Sequence, residues 1–285
     1  MANIRDLRQR INSVGNIQQI TRAMEMVATT KLRRFQEAAV AAKPYSEELE
    51  RLAKGLGGAD PDAAGDAAGL FRQGDPSAPA GILFIGSTRG LCGAYNSNIQ
   101  RQLESGLEGL PPGSKLFVIG KKSMEHAARM GHDVFAYFDD FDPEKMHFSK
   151  ATEISQQVAT AFLEEGLSAI FLCGTRFLSM VRYEPYFESF LPIAPSEGEI
   201  LSEPLLEPSG PELLARLVPS YLETLVFHAL MEAITSEYAS RRFAMKNATD
   251  AAGDMKKEIT RTYNRARQQK ITSEITEIVS GAEAL

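Results

Sequence analysis

A glycine-rich turn between a strand and a helix is where nucleotide phosphates bind, because the first N–H groups of the helix are unpaired and point at the anion. Gly86-Ser87-Thr88-Arg89-Gly90-Leu91-Cys92-Gly93-Ala94-Tyr95-Asn96 has that placement. Its glycines do not follow the GxGxxG spacing, and it lacks the Gly-Lys-Ser/Thr ending of a P-loop. A second stretch, Gly120-Lys121-Lys122-Ser123, has a Gly-Lys pair, but Lys115 stands where the first P-loop glycine belongs. Both read as tight strand-to-helix turns that require glycine.

Other reactive side chains are scattered. His126, His132, His147 and His228 have neither metal-ligand nor triad spacing and read as surface or packing residues. Asp139, Asp140, Asp142, Glu184 and Glu188 offer carboxylates for acid–base work, yet no apolar pocket is visible around them, so they read as a solvated face. Cys92 and Cys173 lie far apart without CxxC spacing, which suits two buried thiols in a reducing compartment. No catalytic constellation emerges, and neither a cofactor nor a metal is expected.

The elements that position these residues are legible in the hydrophobic pattern. Short apolar runs at 80–86, 115–120, 133–137 and 168–174 read as buried strands, and helical stretches near 94–108, 121–131 and 150–165 separate them. Alternating strand and helix implies a largely parallel sheet covered by helices. The segment from Met180 to Pro192 adds an edge or antiparallel strand. Before this domain, residues 56–79 are dense in Gly, Ala, Asp and Pro and read as a flexible linker.

Two long helical patterns flank it. Ile4, Leu7, Ile11, Val14, Ile17, Thr21, Met24 and Val27/Ala28 recur every three or four residues, a narrow seam within a helix over 1–55 whose only weak points up to Lys54 are Gly15 and Pro44. A helix of 40 to 55 residues is roughly 60–80 Å long. After the stop signals Pro208-Ser209-Gly210-Pro211, residues 212–285 contain one proline, Pro219, which either kinks the helix or marks its start. Their stripe runs through Met245, Ala248, Ala252, Met255, Ile259, Tyr263 and Ala266 to Ile271, Ile275 and Ile278/Val279. Each seam needs a partner, and the other terminal helix supplies it. The expected fold is therefore α/β: a long antiparallel coiled coil of N- and C-terminal helices, the C-terminal one overhanging, with an inserted Rossmann-like α/β domain at 80–205.

The chain has 285 residues and 44% hydrophobic content, enough for one or two packed domains. Its net charge of −6 hides a segregation: residues 241–270 are strongly basic, while Glu184 to Glu212 is almost purely acidic. No apolar run approaches 18 residues and the charged start lacks a signal-peptide core, so a cytosolic or peripheral protein is expected.

The terminal helices also carry specific text. Ile20-Thr21-Arg22-Ala23-Met24-Glu25-Met26-Val27-Ala28 with Lys31-Leu32-Arg33-Arg34, Ala244-Met245-Lys246-Asn247-Ala248-Thr249-Asp250-Ala251, and the stretch from Ile271 to Ala282 closely resemble the gamma subunits of F-type ATP synthases. Arg89-Gly90-Leu91-Cys92-Gly93 and Asn96 resemble the same family. Thr88 stands where the family commonly has aspartate, and Thr29-Thr30 where it has Ala-Ser. The cysteine pair of the chloroplast relatives has no counterpart, so no thiol switch is expected.

The resemblance implies a non-catalytic rotor shaft of the proton-translocating F-type ATP synthase. The coil would pass through the alternating alpha and beta subunits, coupling rotation of the membrane c ring to conformational changes at the catalytic sites. Carried over by position, Met24, Arg241, Arg267, Gln268, Thr272 and Glu274 face beta-subunit loops, and Glu207 lies in a foot on the c-subunit ring. The epsilon subunit docks on the α/β domain. The tip formed by Ile271, Ile275, Ile278 and Val279 zips onto Ile4, Leu7 and Ile11 and then enters an apolar bearing. Absence of a transit peptide favours the cytoplasmic side of a bacterial inner (plasma) membrane, with peripheral attachment. Two rival readings are a basic coiled coil that binds nucleic acid, disfavoured by the acidic total and the scarcity of aromatics in the basic stretch, and a helically dimerised α/β ligand-binding enzyme.

Overall fold

The computed structural model describes residues 4–59, 68–194 and 210–283. It comprises helix α1 (Ile4–Ala59), strand β1 (Gly81–Ile85), α2 (Tyr95–Leu107), β2 (Lys115–Ile119), α3 (Lys121–Met130), β3 (Asp133–Phe138), α4 (Phe148–Glu164), β4 (Ile170–Ser179), β5 (Arg182–Leu191) and α5 (Gly210–Glu283). The chain divides into two compact units, one from Thr30 to Ser240 and one from the residues up to Thr29 together with those from Arg241 onward.

In the first unit a five-stranded sheet has the order β3-β2-β1-β4-β5. β1 pairs in parallel with β2 and β4, β2 pairs in parallel with β3, and β5 runs antiparallel to β4 along the edge. Every residue of β1 is buried, which explains its unbroken apolar text: a central parallel strand has a covered face on each side. Right-handed crossovers put α2 and α3 on one face, since both connections step the same way from β1, and α4 on the other. Ile82, Phe84, Leu116, Val118 and Cys173 of the sheet pack there with Ile99 and Leu103 of α2 and Ala127 of α3. β4 and β5 stay paired from Thr175–Pro185 to Ser179–Arg182, past the last β1 partner at Cys173, as a two-stranded ribbon.

The terminal helices complete this unit. Leu32 and Phe35 of α1 and Leu222, Val226, Leu230, Ile234 and Tyr238 of α5 are buried, with Phe35 and Tyr238 rings 5.4 Å apart. Phe227 of α5 meets Phe148 at the start of α4 at the same centroid distance, 5.4 Å. An 18-residue stretch of α5 reaches a mean hydropathy of 1.2, long and apolar enough to cross a membrane. Because 56% of it is buried within the protein, it behaves as a core helix. Pro219 lies inside α5 as an exposed residue.

In the second unit the two termini pair antiparallel. Thr249 Oγ1 lies 2.8 Å from Thr21 Oγ1. A Cβ at Gly253 would lie 2.8 Å from Gln18 Nε2, and one at Gly15 would lie 3.6 Å from Lys256 Nζ. Three residues back along α1 thus correspond to three or four forward along α5. On α1 the buried and half-buried positions from Ile4 to Ala28 are Ile4, Leu7, Ile11, Val14, Gln18, Thr21, Glu25 and Ala28, alternating by three and four, with Gly15 and Met24 half-buried beside them. Ile17, Ile20 and Val27 are exposed. The expected stripe is therefore corrected at Ile17: the heptad continues through Gln18, and following the apolar residue instead slips the pattern by one.

Candidate functional site

The glycine-rich turns are packing devices. Gly120 sits at φ 94 between β2 and α3, and a Cβ there would lie 2.6 Å from Gly86 O and 2.8 Å from Ser87 O. The two strand ends cross so closely that Gly86 N–H donates to Ile119 O at 3.0 Å and Lys122 N–H to Ser87 O at 2.9 Å. One of the α3 amides that could cradle a phosphate is thus already committed to the neighbouring turn.

Arg89 to Asn96 is held by hydrogen bonds of its own. The Ser87 hydroxyl lies 2.8 Å from Arg89 O and 2.7 Å from Asn96 Oδ1, and Asn96 Nδ2 is 3.3 Å from Cys92 Sγ. Ser240 of α5 donates to Cys92 O at 2.6 Å and shares a 3.1 Å hydrogen bond with the Tyr183 hydroxyl of β5, while Tyr95 donates to Ala233 O at 3.2 Å. Arg89 approaches Glu144 to 3.7 Å, and Lys31 of α1 pairs with the same carboxylate. The motif therefore fastens both terminal helices to the α/β domain. Thr88 Oγ1 is buried there with no hydrogen-bond partner among the described residues.

The remaining acidic candidates are engaged locally. Glu188 takes both its oxygens to Arg176 at 3.0 Å, Glu184 pairs with Arg182, and Asp140 accepts from Lys150 Nζ, which holds its carboxyl below the usual range. Asp142 caps a short turn by accepting from Glu144 N at 3.0 Å. Asp140 and Asp142 line a cavity of about 420 Å³ together with Glu153, where Lys150 Nζ pairs with Asp140 at 2.6 Å and with Glu153 at 2.8 Å. A lysine thus stands between Asp140 and Glu153, and these two carboxylates are ion-paired rather than poised as an acid–base couple.

A cluster that spacing did not reveal joins Glu104 of α2 to two histidines. His126 Nε2 lies 2.7 Å and His132 Nε2 2.9 Å from Glu104 Oε1. Burial pushes the Glu104 carboxyl up, but its two imidazole partners outweigh this and leave it below the ordinary range. The only sequence signal is a histidine six residues before another, with glycine just ahead of the second.

On the shaft, Met24 is half-buried and Arg241 is only 8% exposed, whereas Arg267, Gln268, Thr272 and Glu274 are exposed. Thr272 donates to Gln268 O at 3.0 Å, and Glu274 lies 3.5 Å from Lys270 Nζ. From residue 254 to 270, the exposed cations Lys256, Lys257, Arg261, Arg265, Arg267 and Lys270 outnumber Asp254 and Glu258. Ile271, Ile275, Ile278 and Val279 are also exposed, Ile278 at 71%. The expectation that this tip zips onto Ile4, Leu7 and Ile11 is overturned. With Gly15 beside Lys256, the same register brings Ile4 to the turn around Arg267, and α5 continues past the described start of α1. Glu207 lies outside the described residues.

The sequence matches the family model described as ATP synthase over residues 3–285. It is 41% identical over 291 residues to an ATP synthase gamma chain of Moorella thermoacetica, covering 100% of both chains. The chain belongs to the ATP synthase gamma chain family. A second relative, the gamma chain of Desulfitobacterium hafniense, is 37% identical over 285 residues, again with 100% of each chain covered. The fold is that of a chain in the Euglena gracilis mitochondrial ATP synthase, with TM-score 0.69, 19% identity, and 99% of this chain and 94% of that one covered. It also matches a chain in the Tetrahymena thermophila mitochondrial ATP synthase central stalk and c ring, with TM-score 0.61, 21% identity, and 80% and 99% covered. As a gamma chain it is the central-stalk rotor subunit of an F-type ATP synthase, a non-catalytic part that couples c-ring rotation to the catalytic head. It associates peripherally with that membrane complex.

Proposed function

We propose that the distal turns of α5 are the face by which this rotor meets the alpha and beta subunits of the head. The observation that carries this reading is the exposed apolar set Ile271, Ile275, Ile278 and Val279 beyond the reach of α1. At i, i+4, i+7 and i+8 these side chains share one helix face, and a contiguous apolar face in water calls for a covering surface. Arg267, Gln268, Thr272 and Glu274 precede or interleave it and meet beta-subunit loops through exposed ion pairs and hydrogen bonds. Such pairs contribute only about 0–1 kcal/mol each, weak enough to be remade at every step of rotation. Met24 and Arg241 join them with less surface to offer, Arg241 least of all. Glu207 serves as a foot on the c ring, the epsilon subunit docks on the α/β domain, and the complex lies on the cytoplasmic side of a bacterial inner membrane and is driven by protons.

Co-purification from the native membrane tests this assembly. One copy of the chain with alpha, beta and epsilon subunits is the expected composition. Deleting the residues after Arg267 is expected to lower retention of the head and ATP synthesis while leaving the sheet signal in circular dichroism unchanged. Full coupling by the truncated chain would refute the contact face.

A further inference from the structure

The Glu104–His126–His132 cluster lies within the α/β domain, and its geometry points to a binding site for a divalent borderline metal ion, zinc foremost, that staples α2 to α3. Among the described residues these are the group of three ligand-bearing side chains whose donor atoms all lie within 4.8 Å of one another. The convergence is built by the backbone. Gly131 ends α3 in the left-handed conformation at φ 75, and His132 N–H returns to Ala127 O at 3.1 Å, a Schellman turn. That turn folds His132 back beside His126, with ring centroids 6.4 Å apart, and the contact between α2 and α3 brings Glu104 to both.

Two imidazole nitrogens and one carboxylate oxygen make a ligand set of mixed softness that suits zinc better than the all-oxygen preference of magnesium or calcium. Zinc bonds of about 2.0–2.2 Å at tetrahedral angles place donors roughly 3.3 Å apart. The present separations from Glu104 Oε1, 2.7 and 2.9 Å, need widen by only about half an ångström, within the reach of small side-chain rotations. His126 is 8% exposed and fixed by the helix, whereas Glu104 and His132 are partly open, so an ion can enter and water can take the fourth position. On entry each Nε2 gives up its hydrogen bond to the carboxylate and turns its lone pair to the metal. Neutral imidazoles do this by moving the proton to Nδ1, with no net release, and any imidazolium releases one proton.

Equilibrium dialysis of the full-length chain against zinc alone tests the site, with H132Q and E104Q as variants and circular dichroism to check that each is folded. One zinc per chain is expected, with a thermal midpoint that rises with zinc concentration. Each variant should lose more affinity than the roughly 10–100-fold that removal of an outer-shell partner costs. Cobalt(II) in place of zinc should give the visible absorption of a tetrahedral site in the wild type and not in the variants. A wild-type chain that takes up no zinc at micromolar concentration, or an H132Q chain that retains its zinc, as it would if His228, Cys92 or Cys173 were the ligands, overturns the proposal.

Discussion

Replacing Thr21 and Thr249 by valine, singly and together, tests the register of the coiled coil directly. The two hydroxyls are 2.8 Å apart, and each also has a backbone acceptor one turn back, Gln18 O at 3.1 Å and Met245 O at 2.8 Å. Two hydroxyl hydrogens therefore serve three contacts, and removal of either threonine leaves the other still bonded to its own helix. No buried donor is orphaned, so each single change loses only the cross-helix bond, about 0.5–1.5 kcal/mol. The second change has no such bond left to lose, and the added methyl groups recover up to about 0.8 kcal/mol apiece at a dry seam. The coupling energy should then be about 0.5–1.5 kcal/mol, with the double variant close to the wild type. Urea unfolding followed by helical circular dichroism on the four chains supplies the cycle. Strict additivity would mean that the threonines do not touch and that the helices pair in another register.

Gly15 is interior to α1, and a Cβ added there would meet Lys256 Nζ at an ordinary contact distance of 3.6 Å, so Gly15→Ala should stabilise the chain by about 0.5–1 kcal/mol, read as a rise in the urea midpoint. Gly120→Ala should do the opposite: the positive φ alone costs about 1–3 kcal/mol, and the backbone oxygens of Gly86 and Ser87 cannot move aside, so the thermal midpoint should fall sharply. Burial raises the Cys173 thiol far above its ordinary pKa and keeps it protonated as pH rises through the range where a free thiol ionises, about 8.5. Peptide mapping after alkylation at pH 9 should find Cys173 unmodified in the folded chain and modified once urea unfolds it.

The strands were legible because a central parallel sheet has no polar face: Ile82 to Ile85 and Leu116 to Ile119 leave no room for another reading. The helices between them followed by spacing, and the antiparallel edge strand by its alternation. The coil was legible as a coil but not in its detailed packing, since Gln18 occupies the seam position that hydrophobic pattern alone assigns to Ile17, and Glu25 shares the seam with Met24. The resemblance places Arg241 against beta-subunit loops, yet its side chain is largely covered by its own chain, which spacing alone does not reveal. Glu104, His126 and His132 could not be grouped from spacing. Their meeting depends on a helix-ending turn and on how α2 packs beside α3, and both are settled by tertiary structure.

The heptad spacing from Leu7 through Gln18 to Ala28 in α1 also has a mechanical consequence. A 3.5-residue repeat imposed on a 3.6-residue helix winds the pair into a left-handed rope. Such a rope is chiral under load: torque of one sense tightens the strands onto each other, while torque of the other sense pries them apart. The torsional spring formed by the seam from Leu7 to Ala28 should therefore be stiffer when turned one way than the other, and twisting single molecules in both senses would read that asymmetry.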